Sequence, residues 1–287
     1  MTRVRWFFAP VIAGALVLVA LPALLTLGMA FTHYDGLGTP AAAGLDNFRR
    51  AFDDTLFWTS LRNSLLFAGM VVPLRLAVAL GTALLLAPPR RGVTAGRTAV
   101  ALPAFVPDVA YAIAWTWILN PIYGPVASIL RGVGLDGTDW LISPWGARWG
   151  LVLMSLFQIA ESFVIVLAVR NEIPGELYEL ADLEGASRWH VFRRVTLPLL
   201  APTLVLLAAR DVAFSLQASF VPGLIVTEGG PHYATTFLPF YVYQNAFGYL
   251  SFGYAAAMTL VMFLVTAAMV AVQLLAVRRF RRSLLPA

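Results

Sequence analysis

The sequence predicts an all-α membrane protein with six transmembrane helices and both termini in the cytoplasm. Three observations carry this reading. Of 287 residues, 60% are hydrophobic and only 12% charged, whereas a soluble domain carries about 25% charged residues. Six apolar runs are each long enough to cross a bilayer as a helix, which takes about 20 residues. The arginines gather on alternate connections between those runs.

The runs lie at roughly 6–31, 63–87, 99–119, 149–169, 199–222 and 254–277. Each holds too few polar groups to fold in water, and in lipid a helix satisfies its own backbone. Arg3 and Arg5 precede the first run, as in a signal peptide, but the run exceeds the usual apolar segment of about 7–15 residues. It is read as a retained helix, in which Pro10 and Pro22 imply kinks rather than breaks. Orientation follows from the arginines. One set of connections, including Arg90, Arg91, Arg97, Arg170 and both termini, holds 13, and the other holds 5. The positive-inside rule then places the 171–198 connection in the cytoplasm.

The outer connections, at about 32–62, 120–148 and 223–253, carry the turn signals Asn120-Pro121 and Gly229-Gly230-Pro231. Their aromatics, such as Trp140, Trp145, Tyr241 and Tyr249, form either an interfacial belt or a docking surface for an external partner. No separate soluble domain is visible, so residues 1–287 are read as a single transmembrane domain.

All 20 basic residues are arginine. Without lysine there is no G-x-x-x-x-G-K-[ST] phosphate loop and no Schiff base. Without cysteine there is no disulfide, thiolate nucleophile or cysteine metal site. His33, His190 and His232 are far apart and lack partners at helical metal-ligand spacing. No metal site and no catalytic residue is therefore expected. The net charge of +5 is explained by topology, and no nucleic-acid partner is implied.

The fourth connection contains ELADLEGASRWHVFRRVTLP, residues 179–198. Pro174 fits a helix start, and Glu172, Glu176 and Glu179 come early, where carboxylates favour the positive end of a helix. Leu177, Leu180, Ala181 and Glu184 follow helical spacing, so one face is apolar. Gly185 offers a turn. A second short helix, Arg188 to Val195, places Trp189, Phe192 and Val195 near one face. Leu197-Pro198 and Pro202 restart the chain into the membrane. On pattern alone this is either a partner-docking element or an amphipathic pair on the membrane surface.

Here the sequence resembles the binding-protein-dependent permeases of ATP-binding-cassette importers. Their signature is E-A-A, three residues, G, nine residues, I, one residue, L-P. Glu179-Leu180-Ala181, Gly185, Val195 and Leu197-Pro198 keep every interval, with Leu180 for the first alanine and Val195 for isoleucine. GLDNFRRAFDD, the W-x-x-x-x-N-P-x-Y-G pattern from Trp115 to Gly124, and TEGGPHYATTFLPFYVYQNAF resemble the carbohydrate-type permeases of maltose, trehalose and glycerol-phosphate systems. The likeness runs from about Phe7 to Arg279.

The resemblance implies the type I importer permease fold and a sugar as solute: a di- or oligosaccharide such as trehalose or maltose, or a sugar derivative. It implies that the helices at 176–195 fit a groove on an ATPase subunit. Leu177, Leu180 and Ala181 would pack in that groove. Arg188, Arg193 and Arg194 would sit at its rim, and Glu179, Gly185, Ala186, Trp189 and Phe192 complete the coupling set. The implied partners are a second permease, two ATPase subunits that carry the ATP and magnesium, and an external sugar-binding protein. The implied setting is a bacterial inner membrane. The chain itself would bind no cofactor, and Gly229, Gly230 and Pro231 would reach toward the binding protein or the cavity.

Charges in a bilayer core cost on the order of 2.5–3.5 kcal/mol each on insertion scales. The chain nevertheless places Arg75, Asp108, Glu161, Arg210 and Asp211 within or near its spans. These, with Gln158, Ser162, Ser215, Gln217 and Phe220, either form a polar cavity for a hydrophilic solute or pair structurally between helices. Asp108, beside Pro107, fits a kink. An ion-coupled secondary transporter using Asp108, Glu161 or Asp211 is the alternative function. The internal repeat common in such folds is not seen.

Overall fold

The computed structural model describes residues 2–88, 91–134 and 139–284. Arg90, counted above among the arginines, and residues 135–138 lie outside them. Among the described residues, four helical stretches are long and apolar enough to cross a membrane: Phe8–Met29, Thr55–Leu85, Arg188–Val226 and Phe252–Leu275. Two bent pairs pass the same test only together. Val93–Phe105 meets Asp108–Ile118 at 106°, and Pro144–Leu156 meets Ala160–Glu172 at 48°. Each predicted run falls on one of these stretches or pairs.

The chain forms two compact units, Met1–Leu61 with Leu238–Val265 and Arg62–Phe237 with Thr266–Ala287. The first opens with α1 (Thr2–Ala15) and α2 (Leu21–Met29), joined by a π turn at Leu16–Ala20. The π turn ends just before Pro22, and the helical stretch Phe8–Met29 runs through both without a break. A short antiparallel pair, β1 (Thr32–His33) and β2 (Ala41–Ala42), sets Thr32 opposite Ala42. In α3 (Asp46–Asp53) the buried Asn47 amide donates to the carbonyls of Ala30 at 3.0 Å and Thr32 at 2.8 Å. The unit also takes the start of α4 (Thr55–Leu85), α13 (Leu238–Tyr243) and the first part of α14 (Phe252–Leu284). A Cβ on Gly253 would lie 1.9 Å from the Thr32 carbonyl oxygen, so only glycine admits this approach.

Asp54 joins these pieces. One carboxylate oxygen accepts from the Leu56 amide at 2.8 Å, at the start of α4. The other accepts from the hydroxyls of Tyr241 at 2.5 Å and Tyr254 at 2.8 Å. Burial raises the Asp54 pKa, but those donors outweigh it and hold the carboxyl below its ordinary value. Burial, and then the bond to Asp54, push the Tyr241 hydroxyl up to about 12.

The second unit holds the rest of α4, then α5 (Val93–Ala101), a 3-10 turn (Leu102–Phe105), α6 (Asp108–Ile118) and α7 (Pro125–Gly132). There follow α8 (Pro144–Leu156), α9 (Ala160–Glu172), α10 (Glu176–Leu183), α11 (Arg188–Val191) and α12 (Leu197–Ala218). The Arg97 guanidinium donates to the Leu86 carbonyl at 3.1 and 2.8 Å, satisfying an acceptor that the end of α4 leaves open. One core gathers Phe67, Val71, Trp115, Leu151 and Phe237, and another gathers Phe163, Val166, Leu200 and Leu207. In lipid such cores are held by close packing rather than by escape from water.

The bends have local causes. Pro107 has no N–H and its ring restricts Val106, which adopts an extended ψ of 127°. The helix restarts at Asp108. The fourth run breaks at residues 157–159, between α8 and α9. In the fourth connection the structure departs from the expected restart at Leu197-Pro198. A π turn at Phe192–Thr196 carries α11 into α12 without a break, giving one helical stretch from Arg188 to Val226. Pro198 follows closely on this π turn, whose shifted register lets the stretch run past it.

Candidate functional site

Three features stand out in the second unit. The first is the 171–198 segment. α10 ends on Gly185 at φ +72, with the Ala186 amide bonded to the Ala181 carbonyl at 2.9 Å and the Gly185 amide to Asp182 at 3.1 Å. This is a Schellman termination, and it needs the left-handed conformation glycine adopts freely. Ser187 then caps α11, its hydroxyl accepting from the His190 amide at 3.2 Å. Tyr178 anchors α10, with its hydroxyl 3.2 Å from that of Thr196 and its ring 4.7 Å from the Arg170 guanidinium. The opposite face is open: Leu180 is 56%, Leu183 86% and Trp189 67% exposed. Leu177 is exposed too, and the Trp189 and Phe192 rings lie 5.4 Å apart. Glu179, Arg188 and Arg193 are exposed around this ridge, while Ala181 and Ala186 are half-buried at the turn.

The second is a cavity of about 270 Å³. Asp108 and Tyr111 reach it from the start of α6, and Gln158 from the break between α8 and α9. Phe214, Gln217 and Phe220 reach it from the fifth helical stretch. Two helix breaks thus open onto one space, in which Asp108, Gln158 and Gln217 stand among apolar side chains. Irregular backbone at membrane depth is tolerated where it lines such a cavity. The Tyr111 hydroxyl donates to the Met154 carbonyl at 2.7 Å, which ties α6 to α8.

Arg75, Glu161, Arg210, Asp211 and Ser215, also named from the sequence, join in an ion network. Arg75, buried, sits 3.8 Å from Asp211 and donates to the Ser155 carbonyl at 3.4 Å and the Ser215 hydroxyl at 3.5 Å. Arg210 bonds Asp211 at 3.1 Å and also pairs with Glu161. Asp211, Ser215 and Ser162 are buried. Both guanidiniums also face the Phe214 ring, at 5.8 Å for Arg75 and 5.0 Å for Arg210.

The third is the 227–237 loop. Gly229 is buried, its amide donating to Gly223 at 2.9 Å, and Gly230 and Pro231 are half-buried. The Thr235 hydroxyl donates to Gly230 at 2.6 Å and the Thr236 hydroxyl to Gly229 at 3.0 Å. Asn63 donates to the carbonyls of Tyr233 at 2.7 Å and Thr236 at 3.2 Å, and Arg148 bonds both Asn63 and Ala234 at 3.2 Å. The exposed tip is therefore Glu228, His232 and Tyr233, all at positive φ, rather than the glycines.

Tyr111, Phe214, Asn63 and Arg148 were not singled out from the sequence. The aromatics lie in apolar runs, where they look like ordinary core. Asn63 at the edge of a span was the readable signal.

These features define a multi-span helical membrane protein whose broken helices line a cavity of mixed polar and apolar character and whose fourth connection presents an apolar ridge. Residues 76–282 match the family model described as binding-protein-dependent transport system inner membrane component, and the chain belongs to that family of ATP-binding-cassette transporter permeases. It is 35% identical to the probable ABC transporter permease protein YesP of Bacillus subtilis, over 90% of this chain and 85% of that one. It is 32% identical to the sulfoquinovosyl glycerol transport system permease protein SmoG of Agrobacterium fabrum, over 84% and 79%. Its fold matches that of a chain in the crystal structure of a bacterial ABC transporter involved in import of the acidic polysaccharide alginate. The TM-score is 0.83, with 24% identity, 96% of this chain and 95% of that chain covered.

Proposed function

We propose that this chain is the transmembrane permease of an ATP-driven, binding-protein-dependent sugar importer in a bacterial inner membrane. It spans six times, with both termini and the 171–198 segment in the cytoplasm. It forms half of the solute path with a second permease. It hydrolyses nothing itself: two ATPase subunits supply ATP and magnesium, and an external binding protein delivers the sugar.

The observation that carries this reading is the exposed ridge of Leu177, Leu180, Leu183 and Trp189, continuous with the helix that reaches the cavity. An apolar ridge ringed by charge suits a protein groove. A displacement of Trp189 is passed along one helical stretch to Gln217, about 40 Å away at 1.5 Å per residue. The absence of lysine supports a borrowed ATPase. The names of SmoG and the alginate transporter support a sugar or sugar derivative.

Ion-coupled transport gains no support from the family. Of its three carboxylates, Glu161 and Asp211 are held in ion pairs. The direct test is to purify the chain with its co-expressed partners and measure ATPase activity on adding a sugar-loaded binding protein. Stimulation supports the reading. Uptake that persists without any ATPase subunit overturns it.

A further inference from the structure

The cavity wall carries one charge that the ion network does not use. Behind Phe214, two guanidiniums are matched by two carboxylates: Arg75 and Arg210 against Asp211 and Glu161. Asp108 stands apart. It lines the cavity and is exposed, and among the described residues no side chain pairs with it. It lies in the first turn of α6, where the helix end favours a carboxylate without cancelling its charge. The other polar groups on the wall, Gln158, Gln217 and the Tyr111 hydroxyl, are neutral, and the last is bonded to Met154.

We propose that Asp108 makes this half of the solute path selective against anions, so that its solutes are uncharged and polyhydroxylated and acidic sugars are excluded. The inference rests on the reading of this cavity as the solute path. A carboxylate accepts hydrogen bonds from paired hydroxyls, the two glutamines donate and accept, and Phe214 and Phe220 add apolar rings to the wall. A uronate or sulfonate entering the same space meets a like charge at close range, in a partly wet site where water screens it only in part. Specificity then comes from a repulsive element as much as from attraction. It separates this chain's solutes from the acidic polysaccharide of the transporter that shares its fold.

The chain has no cysteine, so Gln217→Cys places a single thiol on the cavity wall of the assembled transporter. Its modification by cationic and anionic methanethiosulfonates is read by mass on this chain, each rate corrected for the reagent's intrinsic reactivity. With Asp108 present the cationic reagent should react about tenfold faster, the effect of a unit charge a few ångströms away in a partly wet site. With Asp108→Asn the ratio should fall to within about twofold. A ratio unchanged by that substitution, or an anionic preference, overturns the proposal. In the same samples maltotriose should slow modification and tri-galacturonate should not, until Asp108→Asn lets both protect. Protection by neither sugar overturns the solute claim for this cavity, whereas the wider importer reading stands or falls on the ATPase assay.

Discussion

Arg75 of α4 and Asp211 of α12 face one another across 3.8 Å, both buried. A buried charge that loses its counter-ion costs about 3–5 kcal/mol, whereas removing both costs far less. Asp211→Asn should therefore lower the thermal midpoint in detergent sharply. In an Arg75→Met background the same change should cost less, leaving a coupling of about 1–3 kcal/mol in a double-mutant cycle. Additive costs would show that the pair does not interact.

The Asp54 cluster predicts two stability flanks. Asp54 has a depressed pKa when folded, so its contribution is complete above the ordinary value of 3.8 and is lost as pH falls through the lower folded value. Tyr241 is raised from 10.0 to about 12, so its contribution is complete below 10.0 and fades as pH rises toward about 12. Midpoints measured across pH should fall at both ends. Asp54→Asn should flatten the acid flank, and Tyr241→Phe the alkaline one.

The 227–237 loop depends on Asn63. Asn63→Ala strands the carbonyls of Tyr233 and Thr236, at about 1–3 kcal/mol. Amide exchange in the loop should quicken while exchange in α12 stays unchanged. Equal protection in the variant would remove Asn63 as the fastener.

Gly185 sits at φ +72 with open space where a Cβ would project. The demand is conformational, not steric. Asn, which tolerates the left-handed region, should keep the turn, whereas Val should lose about 1–2 kcal/mol. Uptake and the amount of ATPase that co-purifies should survive Gly185→Asn and fall with Gly185→Val. If both variants fail alike, backbone strain is not the cause. Failure of both would show instead that a partner fills the space above the turn.

What was legible in the sequence follows from period and spacing. Apolar length located the runs, and the intervals from Glu179 to Pro198 located the ridge and its turn at Gly185. The bend at Pro107 was visible as a proline kink. The break at Gln158 was not, because nothing in SLFQIAES forbids a straight helix. The continuity of α11 with α12 was hidden for a related reason: a π turn rescues Pro198, and register shifts leave no mark in composition. The cavity was half visible. Gln158, Gln217 and Phe220 were among the candidates, whereas Asp211 and Ser215 belong to the ion network. Polarity within a span shows that a partner exists, but not whether that partner is a solute or another helix.

On the proposed function, the ridge on α10 and α11 docks on an ATPase subunit. A photoreactive residue in place of Leu180, irradiated in the assembled complex, tests it most directly. One covalent product is expected, with the ATPase subunit, and it should disappear with Gly185→Val. Adducts to lipid alone, with the ATPase present but never joined, would contradict it.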